Sequence, residues 1–224
     1  MDIVVINKDK NIVVHPGAGN TCGTLLNTLL YNYPSIINVP RAGIVHRLDK
    51  DTTGLMIIAK NFYSYIKLIK LLKERKIVRE YEAITIGTIT SSGIVDKPIS
   101  RHKIKRTCMM VNPLGKPAVT HYSIIEKFID HTRLRLRLET GRTHQIRVHM
   151  KYINHPLVGD KLYSRLHFLH KNINKDLNYL LKKFNRQALH ATMLRFFHPI
   201  SYKKIELNAP IPEDMVTLIQ ALKL

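Results

Sequence analysis

Cysteine is nearly missing from this chain: there are two in 224 residues, Cys22 and Cys108. They form no Cys-x-x-Cys pair, which excludes a zinc ribbon and a disulfide framework and fits a reducing cytoplasm. Long apolar runs are missing too, and none approaches the roughly twenty residues that a membrane-spanning helix needs. The N-terminus has no charged segment leading into an apolar stretch, so no signal peptide is read and the expected location is cytoplasmic. Carboxylates are scarce, with 16 Asp and Glu against 36 Lys and Arg, giving a formal net charge of +20. Such an excess raises self-repulsion and is of little use to an enzyme of small neutral metabolites, so a polyanionic partner is expected. The cations are spread through the chain rather than gathered in a tail, which favours a folded face for nucleic acid. Apolar residues make up 45% of the sequence, enough for a substantial core.

The hydrophobic pattern predicts short strands over 3–6 and 12–14 around a turn at 7–11, then a loop at 15–19. Helical spacing follows over 24–31, with Leu25, Leu26, Leu29 and Leu30 on one face and Thr24 as its cap. A buried strand over 55–59 leads to an amphipathic helix over 62–76. Its expected inner face is Phe62, Ile66, Ile69 and Leu72, with Lys67, Lys70 and Lys73 toward solvent. Further strands are expected over 78–86, 118–128 and 132–139. In the last of these Leu134, Leu136 and Leu138 alternate with Arg133, Arg135 and Arg137, placing leucines and arginines on opposite faces. A helix is expected from near Thr143, with Ile146, Met150 and Ile153 on its apolar stripe. Residues 167–186 are polar and basic and read as a surface insertion. Strands over 189–197 and 204–208 precede a closing helix from Pro212, with Glu213 and Asp214 in its first turn. The reading is one α+β domain spanning 1–224, built on a mixed, mainly antiparallel sheet.

Chemistry concentrates in three places. The first is Ile44-Val45-His46-Arg47-Leu48-Asp49-Lys50-Asp51-Thr52-Thr53-Gly54-Leu55, a polar loop just before a strand, where catalytic groups usually sit. Arg47 and Lys50 flank Asp49 and favour its ionised form, and an ionised carboxylate serves as nucleophile or base. A plain turn capped by Asp49 and Asp51 fits the same residues. A calcium loop does not, because Lys60 stands where a bidentate glutamate belongs. The second is Glu139-Thr140-Gly141-Arg142-Thr143-His144-Gln145-Ile146-Arg147-Val148-His149. Its helix start, together with Arg142, suits a phosphate, and Arg147 suits a carboxylate. A solvated basic helix face is the plainer alternative. His144 and His149 lack a third ligand, which speaks against zinc. The third is Arg79-Glu80-Tyr81, where Tyr81 is either a base-stacking ring or an ordinary rim residue.

Taken in order and spacing, His46-Arg47-Leu48-Asp49 with Thr53-Gly54, then Arg79-Glu80-Tyr81, then Gly141-Arg142-Thr143-His144-Gln145-Ile146-Arg147 resembles the RluA family of pseudouridine synthases. The likeness runs from about residue 3 to the end. It implies the pseudouridine synthase fold and isomerisation of uridine in RNA, with 23S ribosomal RNA as the partner and its domain IV stem-loop as the target. By position, Asp49 matches the essential aspartate, Tyr81 the tyrosine against the target base, and Arg147 the arginine that pairs with the catalytic carboxylate. Arg47 matches the side chain that fills the gap left by a flipped base. His46, Arg142, His144 and Gln145 fall among the residues expected to meet RNA. No metal or organic cofactor is implied, and the expected state is a monomer. Relatives of this type usually begin with an S4 RNA-binding domain, and the expectation here is a catalytic domain without one. Asp9 stands where the family usually has proline, and Ser164-Arg165 replaces a more glycine-rich stretch. The alternatives are a synthase for transfer RNA or another ribosomal site, an RNA-binding assembly factor with vestigial catalytic residues, and a magnesium-dependent phosphoryl-transfer enzyme.

Overall fold

A computed structural model of the protein describes residues 2–17, 19–164 and 175–223. The described chain divides into two compact units, Met1–Arg79 with Ala191–Ala209, and Glu80–His190 with Pro210–Leu224.

In the first unit, strand β1 (Ile3–Lys8) pairs antiparallel with β2 (Thr53–Ala59), from Ile3 opposite Ala59 to Lys8 opposite Gly54. All seven residues of β2 are buried, because the strand is covered on both faces. β9 (Leu189–Phe197) neighbours β2 and pairs antiparallel with β10 (Lys204–Asn208). Gly54 enters β2 with φ at +111°. A Cβ there would lie 2.6 Å from the Ala191 nitrogen and nearer still to the Ala191 carbonyl oxygen, so backbone meets backbone and only glycine fits. The core of this unit gathers Val45, Leu55, Ile57, Leu68, Leu194 and Phe196.

Two expectations change here. Residues 12–14 form no strand: the Val13 and Val14 carbonyls accept from the Leu25 and Leu26 amides at 2.8 and 3.1 Å, so the segment serves the start of α1 (Leu25–Asn32). Thr24 caps that helix as expected, its amide and hydroxyl meeting Asn27 Oδ1 at 3.0 and 2.7 Å. In α2 (Phe62–Lys73) the apolar face is rotated. Leu68 is buried and Tyr65, Ile69 and Leu72 pack beside it, whereas Phe62 and Ile66 are 58% and 49% exposed. Both stripes are apolar at helical spacing, and packing against the core of the unit selects one of them, while Asn61 Oδ1 caps the helix by accepting from the Ser64 amide at 2.8 Å.

In the second unit the strand order is β3 (Val78–Ile86), β8 (His131–Leu138), β7 (Val119–Lys127), β4 (Gly93–Asp96), and these pairings are antiparallel. β5 (Ile99–Arg101) and β6 (Met109–Val111) form a separate ribbon. The alternation in β8 holds, with Leu134, Leu136 and Leu138 buried. Its arginines are partly neutralised across the strands: Arg133 Nη2 lies 2.7 Å from Glu82 and Arg135 Nε 3.8 Å from Glu80. The expected insertion over 167–186 is corrected where it is described. α4 (Lys175–Lys183) places Leu181 in a core with Met215, Leu218 and Leu222 of α5 (Glu213–Leu222), and Arg186 is buried against Asp214. The rest of that segment, 167–174, lies outside the described residues. The fold is α+β, as expected.

Candidate active site

The loop at 44–52 is pinned to its unit from both ends. Ile44 bridges to Ile58 of β2, and His46 Nε2 accepts from the Ile57 amide at 3.0 Å. Burial of the ring holds the His46 pKa down to about 3, and the Arg79 charge pushes the same way, so the imidazole is neutral and carries its proton on Nδ1. Further along, Lys8 is 3% exposed, and its ammonium donates to the carbonyls of Asp9, Ile12 and Lys50 at 2.7, 3.2 and 2.9 Å. The Ile12 amide also donates to the Lys50 carbonyl, and the Thr52 amide to that of Asp49. Three N–H donors turned on carbonyls satisfy a charge that burial would otherwise penalise. Between these anchors Leu48 is buried, Arg47 is exposed and Asp49 is half-buried. Alongside, Arg41 Nε donates to His15 Nε2 at 3.2 Å. Burial lowers the His15 pKa first, and Arg41 and Arg47 lower it further, which places two guanidinium charges beside that ring.

In the second unit, α3 (Gln145–Tyr152) begins at His144, whose backbone is left-handed with φ at +55°. The plainer alternative, a solvated basic helix face, is not met: residues 145–150 are all buried. Arg147 meets Asp160 in a two-point ion pair, Nε to Oδ2 at 2.7 Å and Nη2 to Oδ1 at 2.8 Å. Asp160 is 0% exposed and also accepts from the Leu162 and Tyr163 amides at 3.0 and 3.2 Å. Tyr163 stacks under the guanidinium at 5.0 Å. Its hydroxyl accepts from the Met109 amide at 2.7 Å and lies 2.8 Å from His144 Nδ1. Burial raises the Tyr163 pKa to about 12, so the phenol stays protonated, and the direction of its bond to His144 Nδ1 follows the histidine tautomer. Tyr81 is buried in β3, opposite Leu136.

These positions sort the expected residues. Asp49, Arg47 and His46 share one anchored loop, and Arg142, His144 and Arg147 surround the start of α3. Arg142 is exposed, with Nε donating to the Pro117 carbonyl at 3.0 Å. Gln145 is turned inward. It is 3% exposed; its carbonyl accepts from Thr140 Oγ1 and the Arg142 amide, and its amide donates to the Val119 carbonyl and Thr120 Oγ1. All four bonds are internal, and they tie the turn before α3 to β7. His46 likewise has one ring nitrogen committed to β2. Asp160, Tyr163 and Lys8 are structural partners that no sequence pattern singles out. Asp160 follows Arg147 by thirteen residues, a spacing with no helical or strand period to draw attention to it.

The RNA pseudouridylate synthase family profile matches residues 2–152. A protein of Pasteurella multocida, ribosomal large subunit pseudouridine synthase D, is 61% identical over 222 residues, which cover 99% of this chain and 68% of that protein. Proteins of the same name from Yersinia pestis and Escherichia coli strain K12 are 62% and 61% identical over the same shares. Among solved structures, human RNA pseudouridylate synthase domain containing 4 matches with a TM-score of 0.75 at 24% identity, covering 99% of this chain and 90% of that one. Human RNA pseudouridylate synthase domain containing 1 gives a TM-score of 0.71 at the same identity, covering 99% and 91%. At that identity the structural likeness speaks for the fold alone.

Proposed function

The chain belongs to the RNA pseudouridylate synthase family, and on that ground we propose that it converts uridines of large-subunit ribosomal RNA to pseudouridine, with Asp49 acting on the flipped-out nucleotide. The observation that carries the substrate is identity near 61% across 99% of the chain to relatives named for the ribosomal large subunit. The expected target is the domain IV stem-loop of 23S RNA, and the expected state is a cytoplasmic monomer. Among the described residues no helix is long and apolar enough to cross a membrane.

The reaction breaks C1′–N1, forms C1′–C5, releases the C5 hydrogen as a proton and returns a proton to N1. One carboxylate suffices, by attack on C1′ or by proton removal to give a glycal, and it remains available as the base at C5. A loop fixed by His46 and Lys8 suits that task, since a reacting group must be held in one geometry. Extruding a stacked uridine costs a few kcal/mol, and Arg47, exposed on the same loop, is assigned to fill the gap it leaves. Tyr81 is assigned to the base, Arg147 to the electrostatics of the carboxylate, and Arg142 and His144 to the RNA backbone.

Large-subunit RNA transcribed with tritium at uracil C5 provides the test, with no metal added. Release by wild type and none by a folded Asp49→Ala supports the assignment. Release by both removes Asp49 from the chemistry. Release only from total cellular RNA moves the substrate elsewhere.

A further inference from the structure

Three arginines are buried among the described residues: Arg79, Arg147 and Arg186, at 7%, 5% and 5% exposure. Two of them have carboxylate partners of matching geometry. Arg147 forks onto Asp160, and Arg186 meets both oxygens of Asp214 at 2.8 and 2.7 Å. The buried ammonium of Lys8 is likewise surrounded by carbonyls. Arg79 stands apart. Its side chain has no hydrogen bond or ion pair with any described residue, and its Nε is a buried donor without an acceptor.

A second orphan lies nearby. His46 uses Nε2 on the Ile57 amide, which leaves Nδ1 carrying the proton, and that N–H also has no acceptor among the described residues. The Arg79 charge acts on this ring. One region of the first unit therefore offers a guanidinium and an imidazole N–H, with no carboxylate answering either. A guanidinium largely withdrawn from water, with its Nε fully buried and no counter-charge, destabilises the free protein. It is tolerated where a ligand supplies the missing charge, and the arrangement of donors and charge fits a phosphate far better than a neutral carbonyl.

We propose that Arg79 is a built phosphate-binding residue, taking a phosphodiester of the substrate RNA with His46 Nδ1–H as its companion donor. The assignment rests on RNA being the substrate. It also gives His46 a route to RNA that its bond to β2 leaves open. The neutral state of His46 suits the role, since a second cation beside Arg79 would add repulsion in the unbound protein.

The test combines two readouts on the full chain with Arg79→Gln and Arg79→Lys. The first is thermal unfolding without RNA. Removing an unanswered buried charge is expected to leave the melting temperature of Arg79→Gln unchanged or higher, the reverse of what loss of a structural ion pair gives. The second is affinity for large-subunit RNA across a salt series. Arg79→Gln is expected to bind roughly tenfold to a hundredfold more weakly, with the slope of log K against log salt shallower by about one. Arg79→Lys is expected to keep the slope. A destabilised or unfolded Arg79→Gln with Arg79→Lys binding normally makes the residue structural and overturns the proposal. Weaker binding with an unchanged slope overturns it as well, by pointing to a base edge. Neither readout needs turnover, so a wild type that binds RNA yet releases no tritium defeats the isomerase reading without touching this one.

Discussion

Arg147 and Asp160 form a buried two-point ion pair at 2.7 and 2.8 Å, and Asp160 simultaneously holds the amides of Leu162 and Tyr163. The carboxylate thus orients the guanidinium assigned to the reactive aspartate while tying the turn after it to α3. Tyr163, placed by that turn, lies under the same guanidinium and bonds to His144. A single buried acid therefore organises the lower half of the second cluster.

Removing one member should be costly. Asp160→Ala leaves a buried guanidinium without its partner and is expected to lose about 3–5 kcal/mol of stability, read by urea denaturation. The double variant Arg147→Met with Asp160→Leu is expected to lose less than the two single changes added together, because no lone charge remains.

Lys8→Met addresses the other anchor. Three carbonyls lose a donor, and a loss of about 1–3 kcal/mol is expected. The loop bearing Asp49 is also released, so tritium release under single-turnover conditions should fall by about tenfold or more at a temperature where the variant is fully folded. An unchanged rate in a folded variant would show that the loop needs no such anchor.

Gln145→Ala separates scaffold from interface. Each of its four internal partners loses one hydrogen bond, and a stability loss of about 1–3 kcal/mol is expected. The salt dependence of RNA binding should not change, since the side chain faces no solvent. A shallower slope would return the residue to the RNA-binding set.

Acid should weaken the fold through its histidines. The His46 pKa falls from 6.5 in the unfolded chain to about 3 in the folded one, and burial also lowers those of His131 and His149. The unfolded chain then binds more protons, so stability is whole above pH 6.5 and declines as pH drops toward 3. The contribution of His46 is at most about 1.4 kcal/mol per pH unit. Denaturation midpoints measured from pH 7 to 4 should slide downward, and His46→Asn should flatten the slide.

Much of this architecture could be read from the chain. The alternation in Arg133-Leu134-Arg135-Leu136-Arg137-Leu138 gave β8 its faces because period two has one solution in a strand with one covered side. The continuous apolar run of β2 signalled burial on both sides for a similar reason. The α2 face was misassigned because Phe62 and Ile66 compete with Leu68 and Tyr65 at equally good helical spacing, and only the neighbouring core breaks the tie. Gln145 and Asp160 were misread or missed because satisfaction of buried polar groups depends on partners far apart in sequence: Thr120 is 25 residues from Gln145. Arg79 was visible only as part of a motif. That it lacks a counter-charge is a property of its surroundings, which no linear pattern encodes.

Gly54 can be restated as a constraint on mutational routes. It has a backbone handedness that other residues resist, and a Cβ would collide with main chain rather than with a side chain free to swing away. No second substitution at position 191 relieves a clash with a backbone nitrogen and oxygen. In a library randomised at position 54, survivors should be glycine whatever accompanies them, so this point tolerates neither drift nor compensation. It lies five residues beyond Asp49, at the start of the strand to which His46 is bonded.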